Sequence, residues 1–124
     1  MPDRSAVPMI VITTQQDHVE AMNSALRNAG HAVHCTWISD ARDLADAFLQ
    51  TGCELVLLFA DSANASLRSV ISVRDQVAPA VPVLVARTGV DEAVIAEAMS
   101  EGARDVVSLE HTNRLQSVVT RELR

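Results

Sequence analysis

The sequence predicts an α/β domain in which a parallel five-stranded sheet carries helices on both faces. The runs MIVI at 9–12 and ELVLLFA at 54–60 are apolar almost throughout, which is typical of strands buried on both faces. Each predicted strand is followed by a segment with apolar residues at helical spacing, so strands and helices alternate five times. Because right-handed crossovers between parallel strands place helices on both sides of a sheet, this alternation favours three layers.

The first half of the chain is predicted to supply three strands and two helices. In chain order they lie at 9–12, 17–29, 31–39, 41–50 and 54–60. The first helix is predicted from the spacing of Val19, Met22 and Leu26, with Asp17 as its N-cap and Gly30 as its stop. The segment after it alternates apolar and polar residues, as an edge strand does.

The second half repeats the alternation. Strands are predicted at 83–86 and 104–109, and helices near 65–76, from Asp91 to Gly102, and over 111–124. No linker or internal repeat interrupts the pattern, so residues 1–124 are expected to form one domain. The last helix ends in TRELR without a terminating Gly or Pro, which suggests a module of a longer protein.

Composition argues against several classes of partner. The chain has 10 Lys and Arg against 16 Asp and Glu, a net charge of −6, and no basic cluster that could neutralise nucleic-acid phosphates. With no Tyr, one Trp and two Phe, it also lacks stacking platforms for single strands. The apolar runs are too short to span a membrane and residues 1–8 do not resemble a signal peptide, so we expect a cytoplasmic domain without a membrane partner.

The sequence offers no recognisable catalytic or metal-binding motif. Cys35 and Cys53 have neither CxxC spacing nor neighbouring histidines, so both are predicted to be reduced thiols. The four histidines are scattered over different elements and are predicted to lie at the surface. We therefore expect no enzymatic activity, no metal and no cofactor.

Five stretches carry a resemblance to a known family. They are MIVI, the helix end LRNAGH, ELVLLFA, VPVLVA, and the turn EGARDVV, and they occur in the order and spacing of a response-regulator receiver domain. The chain resembles such a domain over residues 8–123. The resemblance implies a flavodoxin-like (βα)5 three-layer sandwich with strand order 2-1-3-4-5. In such open sheets, ligands bind outside the carboxyl ends of the strands.

The same resemblance indicates that the chemical positions of the family are changed. Receivers carry an acidic pair for Mg²⁺, a phosphoacceptor Asp, a hydroxyl residue, a switch aromatic and a Lys. In this chain those positions fall, in that order, on Thr13 and Thr14, Phe59, Arg87, Val106 and Leu109. The resemblance is therefore to a degenerate receiver, one that lacks the residues of the phosphorylation reaction.

These residue types cannot perform that reaction. Mg²⁺ requires hard oxygen ligands and is usually recruited by carboxylates, which two neutral Thr hydroxyls do not replace. The ring of Phe59 is no nucleophile, and Leu109 cannot neutralise a phosphoryl group. Phe59 is instead predicted to fill the emptied pocket as part of the core.

Two alternatives stay open at the strand ends. Asp17 and Asp61 could form a displaced acid pair that permits atypical phosphorylation at Asp61, or they could simply cap a helix and a turn. Arg87 could bind a phosphate or a carboxylate ligand, or it could pair with Asp61 or Asp91 at the surface.

With the reaction lost, the sequence favours binding over catalysis. Receivers commonly dock or dimerise through the fourth helix, fifth strand and fifth helix, and the fourth helix here is acidic while the fifth is basic. The residues predicted to be exposed on this face are Val90, Glu97, Glu101, Arg104, Val106, Arg114 and Arg121. A partner protein or a second copy is therefore expected there, unless these side chains are only solvated.

The first helix through the second strand is similar to the N-terminal receiver of FimX-type proteins. In that group a degenerate receiver precedes PAS, GGDEF and EAL domains that sense cyclic di-GMP and govern twitching by type IV pili. The resemblance implies a module that dimerises, recruits a partner or helps to localise the protein at the cell pole. The alternative is a ligand-responsive switch, in which a phosphate-bearing or acidic metabolite occupies the crevice near Thr13, Thr14 and Arg87.

Overall fold

The computed structural model describes residues 6–61 and 64–123, and within them strands and helices alternate as predicted. The strands are β1 Val7–Ile12, β2 Val33–Ile38, β3 Leu55–Phe59, β4 Val83–Ala86 and β5 Asp105–Val107. The α-helices are α1 Gln16–Asn28, α2 Leu44–Thr51, α3 Leu67–Val77, α4 Glu92–Ser100 and α5 Thr112–Glu122. A short 3-10 turn, Ala41–Asp43, leads into α2. Among these elements no helix is long and apolar enough to cross a membrane.

All neighbouring strands of the sheet are parallel, in the order β2-β1-β3-β4-β5. This confirms the predicted α/β class and strand order. The register aligns Phe59 with Ala86 on β4, and Ala86 with Val107 on β5. The carboxyl ends of β3, β4 and β5 therefore lie side by side, which brings the residues that follow each strand to one edge of the sheet.

The three central strands are buried on both faces because helices cover both sides. Alternate residues of β3 divide between two clusters: Leu57 packs on the side of α1 and α5, and Leu58 packs on the side of α2 and α3. A third cluster joins β4 and β5 to α4 through Val85, Val106 and Ala98. The fully apolar runs of the sequence thus occupy the most buried strands, as expected for a parallel sheet.

The helix starts differ in how well the sequence predicted them. Asp91 caps α4 by accepting a hydrogen bond from the N–H of Val94 at 2.9 Å. Asp17 does not cap α1, because that helix begins at Gln16 and the N-cap is Gln15. The prediction for Asp17 was wrong since the hydroxyl of Thr13 accepts from the N–H of Gln15 at 3.1 Å and ends the loop earlier.

The fifth strand is shorter than predicted, and one of its side chains is oriented differently from the prediction. Val106, predicted to be exposed, has no accessible surface and packs with Val85, Ala98 and Ala103. Its side chain points at α4 rather than at solvent, so it cannot contribute to an external contact surface. Val90 is half-buried against the same cluster.

Both thiols are free, as the sequence predicted. Cys53 is buried and Cys35 is half-buried on the edge strand β2. Burial raises the pKa of each thiol to about 11, so both stay protonated near neutral pH.

Candidate functional site

The end of β3 is closed by an aromatic pair. Phe59 is 4% exposed, and its ring lies against the imidazole of His18 with ring centroids 4.3 Å apart and planes 12° from parallel. His18 lies in the first turns of α1, which follows the neighbouring strand β1. Stacking of this kind adds about 0.5–1.5 kcal/mol to the burial of the rings.

Thr13 fixes the histidine and connects it to the sheet edge. Thr13 is fully buried, and a 2.8 Å hydrogen bond joins its hydroxyl to Nδ1 of His18. The carbonyl oxygen of Thr13 accepts a 2.7 Å hydrogen bond from Nε1 of Trp37, a half-exposed residue of β2. A continuous series of contacts therefore runs from Trp37 through Thr13 and His18 to Phe59, and we call these four residues the aromatic network.

A cavity of about 120 Å³ lies beside the aromatic network at the carboxyl ends of β3, β4 and β5. Its lining combines apolar, hydroxyl and charged side chains: His18, Phe59, Asp61, Ala86, Arg87, Thr88, Ser108, Leu109 and Glu110. Three of the positions identified from the sequence, Phe59, Arg87 and Leu109, are brought together here. Val106 faces α4, and Thr14 is exposed and does not line this cavity.

Asp61 is held by the loop that follows β4. Its Oδ2 accepts hydrogen bonds from the N–H of Thr88 at 3.1 Å and from the hydroxyl of Thr88 at 3.2 Å. It thus connects two loops instead of capping its own turn. Asp17 is exposed and does not line the cavity, so the structure gives no support for the alternative in which Asp17 pairs with Asp61.

Arg87 is positioned by the backbone rather than by an acid. Its N–H donates to the carbonyl of Val107 at 3.0 Å, and its Nε donates to the carbonyl of Thr88 at 3.0 Å. Within residues 6–61 and 64–123, no carboxylate forms an ion pair with it. The predicted pairing with Asp61 or Asp91 is therefore not formed there.

Four polar residues of this site were missed by the sequence analysis: His18, Thr88, Ser108 and Glu110. His18 was predicted to lie at the surface, although it precedes buried Met22 by four residues and so lies on the buried face of α1. That spacing is a signal that could have identified it. Thr88 is adjacent to the assigned position Arg87, and it is Thr88 that presents a hydroxyl to the acid.

The described residues of this site do not form a cluster of metal ligands. Among the residues that the structure describes, no three His, Cys, Asp or Glu side chains are grouped so that they could hold a metal ion. The cavity has two carboxylates, Asp61 and Glu110, on separate loops. The arrangement can therefore bind a small molecule through charge and hydrogen bonds, and it offers no evident nucleophile at the end of β3.

The predicted contact face carries ion pairs within the chain. Asp105, 8% exposed, accepts hydrogen bonds from Arg114 at 3.0 Å and from Arg121 at 3.3 Å. Arg104 and Arg121 both pair with Glu122, at 3.1 and 2.9 Å. The basic groups that were predicted to meet a partner protein or a second copy thus already have carboxylate partners within the chain. We call Asp105, Arg114, Arg121 and Glu122 the β5–α5 ion cluster.

Comparison with known proteins identifies the fold. No protein-family model and no curated protein matches the chain by sequence. Among solved structures, a response regulator from Hahella chejuensis superposes with a TM-score of 0.79 at 14% identity, covering 95% of this chain and 96% of that one. A response regulator from Thermotoga maritima gives 0.77 at 18% identity, with 94% and 97% covered. This chain has the receiver fold.

A third structure with the receiver fold comes from Burkholderia pseudomallei and is described as a putative pilus assembly-related protein. It superposes with a TM-score of 0.75 at 16% identity, covering 98% of this chain and 92% of that one. At these identities the similarity establishes the architecture. What the domain does has to be inferred from the residues at its strand ends and on its surfaces.

Proposed function

We propose that this domain is a regulatory module of bacterial signalling that is not phosphorylated and acts by binding a partner protein or a second copy of itself. The observation that carries this proposal is Phe59 at the end of β3, buried and stacked on His18. A phenyl ring in this position leaves the receiver fold without a phosphoacceptor. The only described acids at the cavity, Asp61 and Glu110, lie beyond the strand ends on separate loops.

Atypical phosphorylation at Asp61 is the main competing chemistry. The two hydrogen bonds from Thr88 occupy one oxygen of this carboxylate, and no basic side chain forms an ion pair with it among the described residues. Transfer of a phosphoryl group depends on positive charge around its oxygens, supplied by Mg²⁺ and Lys or Arg. One nearby guanidinium, that of Arg87, does not replace the metal.

In the first test, the protein is incubated with Mg²⁺ and acetyl phosphate, and its intact mass is measured by mass spectrometry. In the second, amide NMR spectra are recorded with and without beryllofluoride. We expect no mass increase and no spectral change in the natural protein or in Asp61→Asn. A phosphoryl adduct that is present in the natural protein and absent from Asp61→Asn would overturn the proposal. An unrelated active receiver serves as the positive control for the donor.

For self-association, the contact face is proposed to consist of α4 and α5. Glu97 on α4 and Glu101 directly after its end are exposed, and Arg114 and Arg121 of the β5–α5 ion cluster are partly exposed on α5. Because such charges can still form a rim around a contact, light scattering should show a mass that rises with concentration. The double variant Glu97→Arg/Glu101→Arg should abolish this rise, and Glu54→Arg, at an exposed residue outside both helices, should not.

If both variants and the natural protein remain monomeric at all concentrations, the partner is a different protein. Capture of one partner by the natural domain, and its loss with Glu97→Arg/Glu101→Arg, would then support docking through the same face. Retention of that partner by the double variant would show that α4 is not the contact surface.

The wider setting is proposed from the resemblance to FimX-type proteins. We infer that the chain precedes PAS, GGDEF and EAL domains, that it contributes to cyclic di-GMP signalling and type IV pilus function, and that a partner could place it at the cell pole. A structural neighbour described as a putative pilus assembly-related protein is consistent with this setting. In-frame deletion of the codons for residues 1–124 should reduce twitching while cyclic di-GMP binding by the rest of the protein persists. Unchanged twitching would contradict it.

A second function is supported by the cavity itself. An arginine without a carboxylate partner in the described structure lines a cavity at the strand ends, where open α/β sheets bind ligands. The domain could thus respond to a small molecule at this site. Thermal-shift screening tests this, because a ligand at 100 times its dissociation constant stabilises by about 2.7 kcal/mol.

A further inference from the structure

The strand-end cavity carries charges of both signs from three different loops. Arg87 follows β4, Asp61 follows β3 and Glu110 follows β5. Within the described structure, the terminal nitrogens of Arg87 donate no hydrogen bond, since its only side-chain bond is made by Nε. Asp61 accepts bonds through Oδ2 alone, and the carboxylate of Glu110 takes part in no ion pair there. One cationic group and two anionic groups are therefore available to a ligand.

This charge balance disfavours a simple anion. Two acidic residues line the same small cavity as one arginine, so a phosphate or a dicarboxylate that bonds to Arg87 would be repelled by Asp61 and Glu110. A monovalent carboxylate suits the planar guanidinium best, because two parallel hydrogen bonds can form. A positive group on the same ligand would remove the repulsion from the two acids.

The remaining walls limit size and polarity. Phe59, Ala86 and Leu109 supply apolar surface beside the charged groups. The volume of about 120 Å³ is well below the roughly 300 Å³ at which sites for drug-sized ligands begin. A ligand that fills this cavity is therefore small, with at most a short aliphatic group.

We propose that the cavity binds a small zwitterion, specifically an α-amino acid with a short aliphatic side chain. The carboxylate is bound by Arg87, the ammonium by Asp61 and Glu110, and the side chain lies against Phe59 and Leu109. This inference rests on the second function proposed above, and it replaces the phosphate-bearing or acidic metabolite expected from the sequence with a different class of ligand. It is independent of docking through α4 and α5.

The ligand class is tested by titrating ¹⁵N-labelled protein with L-alanine, propionate, ethylammonium and inorganic phosphate in parallel. Propionate lacks the ammonium of alanine, and ethylammonium lacks its carboxylate. We expect alanine to shift the amide signals of Arg87, Thr88 and Glu110. Each half-molecule should bind about tenfold more weakly or worse, because it loses one charge-assisted interaction.

Variants test which residues bind. Arg87→Gln and Asp61→Asn should each weaken alanine binding about tenfold. Arg68→Gln is the matched control, since Arg68 is an exposed arginine of α3 that forms no ion pair among the described residues. Thermal unfolding of each variant shows that the fold is retained. Should Asp61→Asn disturb the loop at Thr88, Glu110→Gln examines the anionic side separately.

The outcomes separate this inference from the functions on which it depends. If phosphate or propionate binds at the cavity as tightly as alanine, the zwitterion class is wrong and the ligand site stands. If none of the four probes shifts the cavity amides, both the class and the second function are overturned. Equal weakening by Arg68→Gln would show that binding is non-specific and would also overturn the inference.

Discussion

The carboxyl end of β3 and the start of β5 differ in whether they hold a buried charged group. At β3, Phe59 is buried against His18, so the position holds an apolar ring. At β5, Asp105 is nearly as buried but is ionised and accepts hydrogen bonds from its neighbour's N–H and from two arginines of α5. The end of β3 therefore holds no carboxylate, whereas the start of β5 holds one that is surrounded by hydrogen-bond donors.

The difference shows where this domain uses electrostatics. A buried charge costs free energy unless donors compensate it. The chain meets that condition at the β5–α5 ion cluster, where the charge attaches a helix to the sheet. At β3, where an ionised group could react, the charge is absent and stacking holds the strand end. The ring of Phe59 at the end of β3 therefore contributes to packing.

Replacing Phe59 by Ala should have the largest effect. The change removes a buried ring and its stacking partner's contact, so we expect the free energy of unfolding to fall by about 3–5 kcal/mol. Urea denaturation followed by circular dichroism measures it. Phe59→Leu should lose less, because part of the volume is retained. A loss below about 1 kcal/mol for Phe59→Ala would show that the aromatic network is not part of the stabilising core.

Asp105→Ala should have the next largest effect. It removes the acceptor of the N–H of Val106 and one acceptor from each of two guanidinium groups, at an expected cost of about 2–3 kcal/mol. Arg121 keeps its bond to Glu122, and Arg114 keeps its bond to the carbonyl of Val106. This estimate is lowered because Arg114 and Arg121 remain about half exposed, with side chains 43% and 55% accessible. The surface acid Asp46 provides the control, and Asp46→Ala should change stability little.

The same carboxylate makes stability depend on pH. Burial raises the pKa of Asp105, but the hydrogen bonds from Val106, Arg114 and Arg121 together outweigh burial and hold the pKa below its ordinary value of 3.8. A carboxyl group with a lowered folded pKa contributes stability above the unfolded pKa, and that stability is lost as pH falls through the folded pKa. Unfolding measured below about pH 4 should therefore show a steeper loss for the natural protein than for Asp105→Asn.

The fold could be predicted from the sequence because its signals are local. Apolar runs such as 9–12 and 83–86 predict a buried strand from only a few consecutive residues, and the structure has strands there. Helix ends were less certain: Asp91 caps its helix, whereas Asp17 is the second residue of α1, although both acids come just before apolar residues at helical spacing. Just before α1, the hydroxyl of Thr13 accepts a hydrogen bond from the N–H of Gln15. Helix propensities do not describe such a bond.

The site was only partly predictable because its contacts join distant residues. The bond from Thr88 to Asp61 spans 27 positions, and those from Arg114 and Arg121 to Asp105 join separate elements. The spacing of residues along the chain does not predict which distant side chains come into contact. His18 is different, since helical spacing from Met22 placed it on the buried face, and that information was in the sequence.

His18→Ala should have a smaller effect than either substitution above. It removes the stack on Phe59 and the hydrogen bond to Thr13, for an expected loss of about 1–2 kcal/mol. His34→Ala is the matched control, because His34 is exposed on β2 and should change stability by less than about 0.5 kcal/mol. Equal losses for the two histidines would remove His18 from the aromatic network.

Trp37→Phe should have the smallest effect and decides whether the sheet edge belongs to the same network. The substitution keeps an aromatic side chain but deletes the donor to the carbonyl of buried Thr13, so we expect a loss of about 0.5–1.5 kcal/mol. Circular dichroism is the readout, since Trp37 is the chain's one tryptophan. In a double-mutant cycle with His18→Ala, a shared network requires non-additive losses, because both residues act through Thr13. Strict additivity would show that Trp37 is not part of the aromatic network, which would then consist of Thr13, His18 and Phe59. The region to compare with the β5–α5 ion cluster would in that case be only the end of β3.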